Sequence, residues 1–321
     1  MKIRLFIIFF FSLHVVYAQH STELINQSIS FMKNRDDLNF NKTFDKVWVE
    51  YLKENIPFYS NAVENIQNKQ YSAALKNLDS LVAEDYFLDQ ILSDKNFQPL
   101  HHLKAWKAFK KEINITLAKY NNKIRLELLN IRDQDQSIRL IAIEAKKAHP
   151  NDTLLLRMVY QKMKTIDQES SDIISGIIDQ YGWLGKDKIG SEANQVLFLG
   201  IQHIDDLVIQ SKYLPIIRAA VQQGSAEPWH LGFLTDRMLM NQGKKQIYGT
   251  QIITSKKPGD SYVVPLENPD KVNELRKEIG LEPLEDYLQE EGLSWDLEEY
   301  KKNLPRIEKL YQEWFEKLKK Q

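Results

Sequence analysis

Residues 59–78 read YSNAVENIQNKQYSAALKNL, and this stretch decides the fold class. Tyr59-x-x-Ala62 and, twelve positions on, Tyr71-x-x-Ala74-Leu75 set small residues at helical intervals, where two helices can approach closely. Asn68-Lys69-Gln70 interrupts the pattern and supplies the turn. The stretch therefore predicts a helical hairpin, and the same periodicity runs outward from Val47 to about Leu92.

Working outward, residues 104–147 are charged, helix-favouring and poor in glycine and proline, and His149-Pro150-Asn151-Asp152 punctuates them. Asp152 or Thr153 is placed to cap a helix starting near Leu154, because a short side-chain oxygen there satisfies exposed backbone N–H groups. Helical patterning continues to Met240 with breaks at Tyr181-Gly182-Trp183-Leu184-Gly185 and near Gln223-Gly224. Alternation then takes over from Gln246 to Thr254, resuming at Tyr262-Val263-Val264 after Pro258-Gly259-Asp260, which reads as a small β-hairpin. Leu297, Tyr300, Leu304, Ile307, Tyr311, Trp314 and Leu318 recur three and four apart and form one stripe on a closing amphipathic helix. Pro305 is expected to kink or restart it.

The fold class is therefore mainly α, with three expected regions: a signal peptide at 1–18, a helical region at 19–150, and a C-terminal helical domain with the hairpin at 151–321. The signal rests on Lys2 and Arg4, the apolar run Leu5–Val16 and the small-residue site Val16-Tyr17-Ala18. That run is too short to span a bilayer, which takes ~20 residues. The chain is thus expected to be exported, periplasmic or secreted, with no integral membrane segment after cleavage. No cysteine is present, which excludes disulfides, thiolate metal sites and cysteine nucleophiles. With 43 basic against 44 acidic residues there is no global field to attract nucleic acid.

The hairpin resembles one tetratricopeptide-type unit, with Tyr71, Ala74, Leu75 and Leu78 at the second-helix positions of that family. Asp89, Asp94, Phe97 and Leu100 resemble the ending that follows such units. From about Asp167 to Tyr287 the chain resembles an uncharacterised bacterial domain family of unknown function. The resemblance rests on Gly182-Trp183, Gln202-His203-Ile204-Asp205, Leu214-Pro215, Asp236-Arg237, Gln246-x-Tyr248-Gly249-Thr250-Gln251 and Arg276-x-x-x-Gly280-Leu281. It implies a domain and no established activity.

Polar residues inside apolar runs mark the candidate site. Gln202, His203, Asp206 and Gln210 lie three, four and seven apart after Val196, Leu197, Leu199 and Ile201, so they are expected to share one helix face. Asp236 and Arg237 sit between Leu231, Phe233, Leu234 and Met238, Leu239. If these elements converge with the hairpin, His203 is a candidate general base, Asp205 or Asp236 its orienting carboxylate, and Arg237 an anion-holding fork. Gln202, Asp205, Tyr248 and Gln251 are then ligand-binding candidates. The alternative is a satisfied polar network that fixes the hairpin on the helices.

Other motifs carry less. His101 and His102 diverge by about 100° on a helix and make no metal pair. The glycines at 182–190 lack the phosphate-loop order, and Trp229-His230 after Pro228 reads as packing at a helix start. No metal or cofactor is expected. The function expected first is binding of an unknown protein or small polar ligand; a cell-envelope hydrolase using His203 comes second, and a structural scaffold third.

Overall fold

A computed structural model describes residues 19–204, 206–253 and 261–319. The expected signal peptide, Asp205 and the hairpin tip at Pro258-Gly259-Asp260 lie outside the described residues. The chain is mainly α with one small hairpin, as its periodicity predicts. It divides into two compact units, residues 19–200 and 201–319. Among the described residues no helix is long and apolar enough to cross a membrane.

The first unit begins with α1 (Gln19–Lys33) and α2 (Asp37–Asn55), followed by α3 (Pro57–Gln67) and α4 (Tyr71–Ala83). These last two are the hairpin of residues 59–78, turning at Asn68–Gln70 and packed through buried Tyr59, Ala62, Ala74 and Leu78. Next come α5 (Leu88–Ser93), a 3-10 turn, α6 (Lys104–Leu117), α7 (Asn122–Ala148), α8 (Thr153–Tyr181) and α9 (Lys186–His203). Leu24, Ile29, Phe44, Val47, Ile138, Ile141, Leu155 and Val159 bring α1, α2, α7 and α8 into one core. Asp152 caps α8 by accepting the Leu155 N–H at 3.0 Å. Residues 149–152 are thus a turn between two helices of the same core, and the division into units falls later, after Gly200.

This unit also buries charge. Arg132 donates to Glu192 and pairs with Asp133 at 2.7 Å. Burial works against its charge, but the two carboxylates outweigh that and hold its pKa above the ordinary value. The other Glu192 oxygen accepts the Phe87 N–H at 3.0 Å. Asp85 accepts the Ser191 N–H at 2.5 Å, just past Gly190, where φ of 79° breaks the regular turn of α9. A Cβ on Gly190 would stand 2.7 Å from the Asp85 carboxylate, so both backbone angle and space demand glycine there.

The second unit carries α10 (Leu207–Gln222), α11 (Pro228–Asn241), β1 (Ile252–Ile253), β2 (Tyr262–Val263), α12 (Val272–Glu278), α13 (Leu284–Glu290) and α14 (Leu297–Leu318). The hairpin is antiparallel, Ile252 opposite Val263 and Ile253 opposite Tyr262. Its first arm is shorter than the alternation from Gln246 predicts, because residues 246–251 turn away to wrap a side chain of α11. Helix α14 buries Tyr300, Ile307, Tyr311 and Phe315. Its Tyr311 hydroxyl lies 3.0 Å from the carbonyls of both Met240 and Lys244 and ties it to the end of α11. Pro305 does not restart this helix. The proline faces solvent, where water can satisfy the carbonyl that loses its partner.

Candidate functional site

Asp236 stands on the inner face of α11, fully buried. An isolated carboxylate is costly there unless it is hydrogen-bonded. The segment that follows α11 supplies four donors. Ile247 N–H reaches Oδ1 at 2.8 Å, Tyr248 N–H is shared between both oxygens at 3.1 Å, and Thr250 donates through N–H at 3.0 Å and its hydroxyl at 2.9 Å. Gly249, with φ of 71°, permits the turn that aims these amides at one point, a backbone nest around an anion. Burial pushes the Asp236 pKa above the ordinary carboxylate range, and the four donors pull the other way.

A second ring of contacts fixes the nest. Gln246 accepts the Gln251 N–H at 2.8 Å and donates to the carbonyls of Gln251 and Val264 at 3.0 and 2.7 Å. Gln251 donates to the Thr250 hydroxyl at 3.0 Å. Arg276, wholly buried, donates to the carbonyls of Tyr248 at 2.8 Å and Glu282 at 2.6 Å and lies 5.0 Å over the Tyr287 ring. Tyr287 in turn donates its hydroxyl to the Thr250 carbonyl at 3.1 Å. Asp236, Gln246, Thr250, Gln251, Arg276 and Tyr287 therefore form one closed node.

The other predicted residues stand in different relations to this node. The backbone of Tyr248 belongs to it, while its half-buried ring packs beside Gly232. Arg237 is half-buried on the next position of α11. His203 ends α9, and none of the hydrogen bonds that Asp236 accepts comes from it. Asp205 lies outside the described residues. Gln202 is buried, and its amide has no hydrogen-bond partner among them.

The expected shared face of Gln202, His203, Asp206 and Gln210 does not form, because α9 stops at His203 and α10 starts at Leu207. Asp206 is the cap of α10, accepting the Val208 N–H at 2.7 Å, and buried Gln210 donates to the Ile204 carbonyl at 2.7 Å. Polar residues at helical spacing here serve two helix ends rather than one surface. His230, wholly buried against Trp229 at 4.2 Å, has its pKa driven down to about 3 by burial.

Elsewhere in the same unit lies an open feature. A groove of about 290 Å³ runs between β2 and the first turns of α14, with Trp295 and Tyr300 along it. Their ring centroids are 4.8 Å apart at 44°, so the half-exposed Trp295 indole, backed by the buried Tyr300 ring, makes the aromatic floor. The Tyr300 hydroxyl is turned inward, accepting the Leu266 N–H at 2.7 Å. Ser294, Asp296, Glu299, Asn303 and Arg306 make the rim. Asp296 has one oxygen committed to capping α14 through the Glu299 N–H at 2.7 Å. Sequence reading missed this groove because Tyr300 looks like an ordinary member of the amphipathic stripe and Trp295 merely precedes it.

A family model described as a family of unknown function (DUF6624) matches residues 122–297. The match contains the whole Asp236 node and Trp295, and ends before Tyr300, Asn303 and Arg306. No curated protein and no solved structure matches the chain.

Proposed function

The chain belongs to that family of unknown function, and from this premise we propose that it works by binding, its C-terminal unit receiving a small polar ligand in the groove between β2 and α14. The observation that carries this reading is the half-exposed Trp295 indole, packed on Tyr300, under a polar rim. A cavity of about 290 Å³ sits at the lower edge of the roughly 300–1,000 Å³ typical of small-molecule sites, which favours a small ligand over a polypeptide. The first 18 residues support export, so the ligand is one met outside the cytoplasm.

In this reading the Asp236 node is architectural. A carboxylate has about four lone-pair positions, and four donor groups already occupy those of Asp236. It has no capacity left to orient an imidazole, so Asp236 is not the carboxylate of a hydrolase built on His203. The test is a thermal-shift screen of the full chain against small polar metabolites, repeated on Trp295→Ala and His203→Ala. Compounds that stabilise the chain should lose their effect in Trp295→Ala and keep it in His203→Ala. The opposite pattern would return the function to His203.

A further inference from the structure

Resting on the binding reading above, we infer that the groove takes a neutral saccharide. The class follows from the shape of the floor and the charge of the rim. With centroids 4.8 Å apart, Trp295 and Tyr300 touch each other. No cation fits between rings in contact, so they do not make the separated walls of a quaternary-ammonium cage. The half-exposed Trp295 indole, backed by the buried Tyr300 ring, presents instead an apolar face on which a flat, partly apolar ring can lie. Tyr300, buried and with its hydroxyl spent on Leu266, serves to hold the indole in place.

The rim narrows the choice. Asp296 and Glu299 place two carboxylates beside the floor, which opposes a phosphate or carboxylate ligand. Asn303, Ser294, Glu299 and Arg306 together provide donors and acceptors of both kinds on short or planar side chains. A pyranose matches this mixture: one face carries C–H groups for the aromatic floor, and its edge carries hydroxyls that both donate and accept. The groove's modest volume fits one or two such rings lying on Trp295 with hydroxyls toward Asn303.

The experiment is calorimetric titration of the full chain with neutral mono- and disaccharides of gluco, galacto and N-acetyl types, beside galacturonate and choline as charged controls. Tryptophan emission is followed in parallel. Six tryptophans contribute to that emission, so Trp295→Phe identifies the signal of the site. The expected result is saturable binding of at least one neutral sugar with a change in emission. Trp295→Ala and Asn303→Ala should weaken it tenfold or more while lowering the melting temperature by no more than a few degrees, and Trp295→Phe should stay within threefold.

Binding of choline or galacturonate alone, lost in Trp295→Ala, would overturn the saccharide and leave the groove as the binding site. Binding of a sugar with equal affinity to Trp295→Ala and Asn303→Ala would overturn both. Failure of every neutral sugar to bind the wild-type chain would overturn the saccharide assignment.

Discussion

The node around Asp236 and the groove beside Trp295 belong to one unit and draw on similar side chains, carboxylates, amides, an arginine and aromatics, yet they end in opposite states. In the node Asp236, Gln246, Thr250 and Gln251 bond to one another or to the backbone between them, and Arg276, Asp236, Gln246 and Gln251 are almost fully shielded from solvent. In the groove the polar side chains stand at the rim and the Trp295 indole is half-exposed to the open space. The difference teaches that polar residues embedded in apolar runs mark where the chain must close upon itself. Residues left open to solvent sit where the pattern looks unremarkable.

The widest separation between the two regions should come from Asp236→Ala. It strands the amides of Ile247, Tyr248 and Thr250 in a buried setting, at about 1–3 kcal/mol for each unsatisfied group. A loss on the order of 4 kcal/mol is expected in urea unfolding, against less than about 1 kcal/mol for Trp295→Ala, whose indole is half-exposed. Equal losses would erase the distinction.

Arg276→Lys is next. A lysine cannot reproduce the planar fork that reaches both the Tyr248 and Glu282 carbonyls, and a loss of about 2 kcal/mol is expected in the same assay. A neutral outcome would show that the nest holds without its outer ring.

Acid offers a third test. His230 stays neutral in the folded unit down to about pH 3, whereas the unfolded chain protonates it near its ordinary value of 6.5. Its contribution is therefore present above pH 6.5 and lost as pH falls. The loss is about 2 kcal/mol between pH 6.5 and 5 from the linkage slope of one proton. Glu291 acts oppositely: burial and Glu290 raise its pKa to about 8. Its contribution is full below the ordinary carboxylate value and is lost as pH rises to about 8. Stability curves of wild type, His230→Gln and Glu291→Gln between pH 4 and 9 separate the two slopes.

The smallest effect belongs to Asn303→Ala, on the groove rim, which should change stability by less than about 0.5 kcal/mol. A larger change would make Asn303 part of the packing rather than of a ligand surface.

What the sequence showed of this molecule follows the range of the interactions involved. The helical hairpin at 59–78 and the stripe of α14 are set by residues three and four apart, so their periodicity was legible. The cap at Asp152 was legible for the same reason. Residues 246–251 resembled a strand because their local pattern alternates. Their actual course is set by Asp236, 11 to 14 positions earlier, whose carboxylate draws three amides that a longer ladder would have used.

The convergence of Asp236 with Tyr248 and Gln251 was anticipated as one alternative, a satisfied network. The shared face at 202–210 was not realised, since Asp206, read as part of the same helix as His203, caps a new one. The groove escaped entirely, because it depends on β2 lying against α14, more than 30 residues away in sequence.

Amide hydrogen exchange of the full chain tests the central claim without altering it. If the Asp236 node is part of the fold's framework, the amides of Ile247, Tyr248, Thr250 and Gln251 should exchange only with global opening of their unit, as slowly as those in the middle of α11, although they lie in no helix or strand. Exchange at the rate of an exposed loop would contradict it.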